Sequence, residues 1–230
     1  MNNKITIAID GFSSTGKSTV ARQLAKELGY VYVDTGAMYR AVALYAIRNS
    51  LITDSSFNKG GLIAQLPEIY LNFVFDEKLG YAAIYLNGEN VEEEIRTMEV
   101  SQYVSKVATV SEVREKLVSL QKMMGREKGM VMDGRDIGTV VFPNAELKIF
   151  MTASAEKRAK RRYLELQGNK QKVSYEEVLK NVEERDYLDT TRKDSPLVKA
   201  EDAVEVDNSE MGIDEQFEII LKLVKAKIEG

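Results

Sequence analysis

The segment that most constrains this chain is residues 5–28. Ile5–Asp10 (ITIAID) is a short apolar, β-branched run, Gly11-Phe12-Ser13-Ser14-Thr15-Gly16-Lys17-Ser18-Thr19 follows, and Val20, Leu24 and Leu28 then recur at helical spacing before Gly29. A strand running through GxxxxGK[ST] into a helix predicts a backbone cradle for a phosphate chain. The glycines permit close approach and backbone angles that a Cβ would obstruct. Successive N–H groups and the helix N-terminus then face an anion. In such a loop Lys17 reaches the β- and γ-phosphates and the Ser18 hydroxyl ligates Mg²⁺. A chance match to the four fixed positions occurs in on the order of 1% of chains of this length, and the flanking strand and helix make it rarer still.

Composition limits the rest of the chemistry. The 230 residues contain no cysteine, no histidine and no tryptophan, which excludes disulfide scaffolds, thiolate catalysis, histidine-ligated metals and imidazole general bases. A net charge of −4 gives no overall basic excess of the kind that drives nucleic-acid binding. No apolar run approaches the ~20 residues that span a bilayer. A cytoplasmic protein is expected, with no nucleic-acid or membrane partner.

Beyond the loop the chain alternates strand and helix. Tyr30–Asp34 reads as a strand and Met38–Arg48 as a helix; Met130–Asp133, Leu147–Ala153 and Ala203–Asp207 read as further strands, and Gly212–Ile228 as an amphipathic helix. That order predicts a parallel sheet with helices on both faces. Two segments interrupt it. Residues 71–91 read as antiparallel strands with turns at Glu77–Gly80 and Asn87-Gly88, and residues 97–127 read as helical. Ala155–Arg192 is charged and helical, broken at Gly168–Lys172. No repeat or linker divides the chain, so a single domain is expected.

Within this frame several motifs carry charge where ligands bind. Asp34-Thr35-Gly-Ala-Met-Tyr39-Arg40 and Asp133-Gly-Arg135-Asp136 each follow a strand, where open α/β sheets present ligands. Glu156–Arg162 holds five cations and one anion, a solvated helix face or nucleic-acid patch if taken alone. Arg158, Arg161 and Arg162 share one helical turn and can converge on a transferring phosphoryl group. Arg185, Asp189 and Arg192 fall on one helical face, which by itself is an ordinary surface pairing. A guanine-reading NKxD is missing, since Asn169-Lys170-Gln171-Lys172 lacks the aspartate. Regulatory GTPases are thereby disfavoured.

Taken in order, the GxxxxGKS loop, DTGAMYR, EIRT (Glu94–Thr97), VRE (Val113–Glu115), DGRDIGTVVFP (Asp133–Pro143) and the ERD…D…R segment resemble the bacterial cytidylate kinases (CMP kinases), a family of P-loop nucleoside monophosphate kinases. The resemblance covers essentially the whole chain. It implies an α/β, three-layer P-loop fold with a parallel five-stranded core sheet, a small antiparallel NMP-binding insertion and a helical lid. The core would occupy about residues 1–60, 105–154 and 195–230, the insertion about 61–104 and the lid about 155–194. It implies transfer of the ATP γ-phosphoryl group to CMP or dCMP with Mg²⁺, by a monomer. Asp136, Arg114 and Ser105 would read cytosine. Arg40, Arg135 and Arg192 would hold the acceptor phosphate, Arg185 and Asp189 the ribose, with Thr35 and Tyr39 nearby. Lys17, Arg158, Arg161 and Arg162 would act in transfer, with Asp133 aligning Mg²⁺. Thr35 stands where the family resemblance leads one to expect Ser. Two other readings stay open: a P-loop kinase for a different small molecule, and a nucleotide-responsive binding protein.

Overall fold

The computed structural model describes residues 4–229; residues 1–3 and 230, assigned above to the core, lie outside the described residues. Five strands, β1 (Thr6–Gly11), β2 (Val31–Asp34), β6 (Met130–Gly134), β7 (Leu147–Thr152) and β8 (Val204–Asp207), form one parallel sheet in the order β2-β6-β1-β7-β8. β1 is the central strand, flanked by partners that leave in opposite directions, and such a switch point opens a crevice at the carboxyl ends. The phosphate loop begins there.

Both faces of the sheet are covered, and the side-chain alternation shows how. Ile7 and Ile9 of β1, Val131 of β6 and Ile149 of β7 pack with Val20 and Leu24 of α1 (Lys17–Leu28) and with Ile220, Leu221 and Val224 of α8 (Ile213–Glu229). Ala8, Val33, Met130 and Met132 point to the other face. Three layers follow from this period-two division of buried strands. On the second side, α2 (Thr35–Arg48), α4 (Met98–Val107) and α5 (Ser111–Met124) build a separate apolar cluster with the insertion.

The insertion is a three-stranded antiparallel sheet of β3 (Leu71–Asp76), β4 (Tyr81–Leu86) and β5 (Glu89–Asn90). Asn87 and Gly88 both take positive φ, 50° and 86°, the geometry for which Asn-Gly is favoured in two-residue hairpins. The lid region is a helical hairpin of α6 (Ala155–Gly168) and α7 (Tyr175–Thr191), joined through Ala159, Leu166, Val178 and Val182.

Three local expectations are corrected. Helix α2 begins at Thr35 rather than Met38, because the Asp34 carboxylate accepts from Ala37 N at 2.9 Å and caps it. A further helix, α3 (Lys59–Gln65), escaped the sequence reading because Gly60 and Gly61 are poor helix formers; the Asn58 side chain caps it through Gly61 N at 2.8 Å. The stretch 97–127 is two helices, since Val110 takes extended backbone, φ −81° and ψ 117°. On one unbroken helix Ser105 and Arg114 would face opposite ways, at about 100° per residue. The break turns both toward the same pocket.

Gly11 pairs with Met151 across the β1–β7 ladder. At φ 143° a Cβ there would sit 2.0 Å from the Met151 carbonyl oxygen, so this glycine is required by the sheet as well as by the loop. Gly11→Ala is expected to lower unfolding stability by at least about 3 kcal/mol, measured by urea denaturation; a change below about 1 kcal/mol would contradict this placement.

Candidate active site

The loop wraps around Lys17, whose Nζ donates to the Phe12 carbonyl and to Thr15 Oγ1 at 3.2 Å. Gly16, at φ 88°, sits at the N-cap of α1 with no side chain closing the helix end. Its amides stay available for an anion. Burial, with the Arg135 charge, pushes the Lys17 ammonium well below its ordinary pKa, a cost that a polyphosphate would offset. Asn208 braces the loop from β8 by donating to the Thr15 carbonyl at 2.6 Å. Ser14 to Thr19 line a cleft of about 1060 Å³, together with Arg40, Arg96, Arg161 and Arg162.

Asp133 closes the same region from the end of β6. Its two oxygens accept from Ser18 Oγ and Tyr32 OH, each at 2.9 Å. Burial and the nearby Asp34 charge push the Asp133 carboxyl up to about 6, against the pull of Lys17. Ser18 and Asp133 are hard oxygen donors that fit Mg²⁺, a cation that keeps several waters and binds mainly through substrate phosphates. Among the described residues no group of three or more acidic side chains could hold a metal unaided.

The residues expected around the acceptor converge in a second, smaller pocket of about 50 Å³. Thr35, Tyr39, Arg40, Ser105, Arg114, Arg135, Asp136, Arg185, Asp189 and Arg192 all line it. They come from α2, α4, α5, the end of β6 and α7. Arg114 pairs with Asp136, both buried. Asp189 accepts from Arg135 at 2.8 Å and from Ser105 Oγ at 3.1 Å, and lies 3.6 Å from Arg192. Burial opposes ionisation of Asp189, yet Arg135, Arg185 and Arg192 hold its carboxyl below the usual range. Arg40 is driven the other way: burial and the charges of Arg185, Arg162 and Arg96 push it well below its ordinary value. The site is thus short of anions near Arg40, the residue that lines both cavities. Thr35 Oγ1 donates to the Asp133 carbonyl at 2.7 Å, so its hydroxyl keeps only acceptor capacity for a ligand. Arg192 does not extend the α7 face as the spacing suggested. It stands just past the helix end in extended backbone, φ −60° and ψ 147°, and donates to the Ser195 carbonyl.

The three α6 arginines take different partners in this structure, and their convergence on a phosphoryl group is expected only on closure of the segment. Arg158 is buried against the loop, stacked 5.0 Å over the Phe12 ring, and forks onto Asp186. Arg161 donates to Asn208 at 2.9 and 2.7 Å. Arg162 donates to Glu165, the Arg96 carbonyl and Ser101. Arg161 and Arg162 still face the large cleft, whereas Arg158 is absent from its lining. The cause is a pairing demand: a guanidinium buried this deeply needs the Asp186 carboxylate.

The model of the family described as cytidylate kinase matches residues 7–226 of this chain. The chain belongs to the cytidylate kinase family. The cytidylate kinase of Flavobacterium johnsoniae is 69% identical over 221 residues, covering 96% of each protein. That of Flavobacterium psychrophilum is 65% identical over 221 residues, covering 96% of this chain and 98% of the relative. An uncharacterized protein from Eubacterium ventriosum superposes with a TM-score of 0.50 at 12% identity, covering 97% of this chain and 99% of that one, a likeness of fold alone. As a member of the cytidylate kinase family the chain is a kinase of the nucleoside monophosphate class. Among the described residues no helix is long and apolar enough to cross a membrane.

Several residues of this cytidylate kinase site lay outside the sequence reading. Arg96, within the EIRT motif, donates to Asp34 at 2.8 Å and Glu92 at 2.7 Å, tying the insertion to β2. Tyr32 holds Asp133. Asp186 holds Arg158, and Asn208 holds both the loop and Arg161. Arg96 and Asp186 lay within the EIRT and ERD motifs without a role read from them, and Tyr32 and Asn208 gave no sequence signal.

Removing Asp186 would strand the buried Arg158 charge. Asp186→Ala is expected to cost about 2 kcal/mol of stability, measured by urea denaturation, while an exposed control such as Glu184→Ala changes it by less than about 0.5 kcal/mol. Equal effects of the two substitutions would contradict the structural role given to the Arg158–Asp186 pair.

Proposed function

We propose that this protein transfers the γ-phosphoryl group of ATP to CMP or dCMP, giving CDP or dCDP and ADP. The observation that carries this reading is the shared wall between the two cavities. Arg40 lines both the loop-bounded cleft and the pocket of Asp136, Arg114 and Ser105, so a donor on one side and an acceptor on the other meet at a cation.

The chemistry asks for positioning and charge more than for acid and base groups. Loop amides and Lys17 hold the donor phosphates. Mg²⁺, bound through Ser18 with Asp133 behind it, would neutralise charge on the β- and γ-phosphate oxygens. Arg40, Arg135 and Arg192 supply forked donors to the acceptor phosphate, and Arg161 and Arg162 face the cleft in which the transferred group travels. On the base, Asp136 accepts from the cytosine amine while Arg114 donates to its ring acceptors. Uracil would set its O4 against the same carboxylate, and a buried polar mismatch is strongly rejected. Arg185 and Asp189 meet the ribose.

A pocket of about 50 Å³ is far below the ~300 Å³ at which ligand sites begin. Acceptor entry is expected to widen this pocket, and closure around substrate excludes water as a rival acceptor.

A coupled assay over nucleoside monophosphates and shikimate tests the reading. Saturable transfer to CMP and dCMP, with UMP, AMP, GMP and shikimate at least about tenfold poorer, is the expected outcome; equal or better transfer to AMP, GMP or shikimate would reject it. ATP binding without transfer to CMP would instead favour a nucleotide-responsive binding protein. Lys17→Ala is expected to lower kcat by roughly a hundredfold or more, about 3 kcal/mol of transition-state stabilisation. Unchanged turnover would remove Lys17 from the transfer step.

A further inference from the structure

Asp10, the penultimate residue of β1, is buried and takes no part in the donor or acceptor contacts described above. Both of its carboxylate oxygens are nevertheless used. Oδ1 accepts from Ile137 N at 2.8 Å and Oδ2 from Gly138 N at 2.7 Å. These are the first two amides of a short π-helical turn, Ile137–Val141, which directly follows Asp136. Helix-opening amides have no partner within their own turn, and Asp136 supplies none, since its side chain makes no capping bond there. Its carboxylate is committed to Arg114. The cap is delivered instead from the strand that ends in the phosphate loop.

The fit between the two segments is close. A Cβ on Gly138 would stand 3.3 Å from Asp10 Oδ2 and 3.1 Å from Lys148 Cδ, so the turn lies directly on the carboxylate and a methyl there would press on it by a few tenths of an ångström. Burial pushes the Asp10 carboxyl up to about 6 against the pull of the two amides, and at neutral pH it remains a double acceptor.

We propose that Asp10 is a positioning residue for acceptor recognition: by capping the turn after Asp136 it fixes the base-reading carboxylate relative to the phosphate loop, setting acceptor affinity and the choice of cytosine over uracil. The inference rests on the function proposed above. Asp10 acts through the backbone of residues 136–138 and touches neither nucleotide. The competing account is electrostatic, because Asp10 also lowers the charge imbalance around Lys17. In that case its loss would be felt by the donor.

Asp10→Asn separates the two. An amide oxygen still accepts one N–H, but the amide NH₂ then faces the other donor. With each lost buried hydrogen bond worth about a tenfold change in an equilibrium, the KM for CMP is expected to rise about tenfold. The CMP-over-UMP preference should fall, while the ATP dissociation constant from calorimetry stays within about twofold. Gly138→Ala, which presses on the same carboxylate and introduces no charge change, is expected to show the same split. It keeps the test decisive if Asp10→Asn does not fold. Loss of ATP affinity or of kcat with CMP affinity and base preference unchanged would overturn the proposal, as would a Gly138→Ala enzyme with wild-type acceptor parameters. Wild-type enzyme that transfers no phosphate to CMP would fail the functional reading itself, an outcome distinct from wild type active and variants unshifted.

Discussion

The structure depends on how buried arginines are kept apart and satisfied. Arg40, Arg135, Arg162, Arg185 and Arg192 line two cavities that share Arg40, with Arg158 buried behind the loop, and most are removed from solvent. Burying a guanidinium is costly unless a carboxylate or several acceptors meet it. Asp136, Asp186, Asp189 and Glu165 answer that demand for Arg114, Arg158, Arg135 and Arg162, while Arg40 donates only to Ser101 Oγ and the Ile95 carbonyl. Neutral acceptors are weaker partners than anions. Arg40 is therefore the least satisfied guanidinium of the cluster.

Geometry converges on β1. Its central place in the sheet delivers the phosphate loop to the crevice, its Gly11 permits β7 to pass close by, and its Asp10 grips the turn that follows β6. β6 in turn presents Asp133 to Ser18 and leads into Arg135 and Asp136. Donor and acceptor machinery thus grow from two adjacent, hydrogen-bonded strands. The insertion and the helical hairpin wall the large cleft, and Arg96 links them: its side chain reaches Asp34 and Glu92 while its carbonyl receives Arg162. A whole-chain charge of −4 conveyed none of this, because it averages the arginines gathered at the two cavities with charges elsewhere on the chain.

The alternating core, the hairpin at residues 71–91 and the two lid helices were legible in the sequence because each rests on local periodicity or on turn residues. Thr35, Arg40, Arg114, Arg135, Asp136 and Asp189 were legible through a resemblance of ordered motifs, and they meet in one pocket although they come from four separate segments. What stayed hidden was set by tertiary contact. Nothing in residues 108–110 announces that a helix must stop so that Ser105 and Arg114 can face together. Helical spacing placed Arg158 beside Arg161 and Arg162, but the Asp186 carboxylate draws it beneath the loop. Asp10 reads as the end of a strand, and its partners lie 127 and 128 residues further along.

The central claim is that the cations around Arg40 exist to receive the phosphate of a cytidine nucleotide whose base is read by Asp136. A crystal structure with CMP bound tests it most directly. The account predicts the phosphate on Arg40, Arg135 and Arg192 and the cytosine amine donating to Asp136. A CMP phosphate seated on the loop at Lys17, or a base lying away from Asp136 and Arg114, would contradict it.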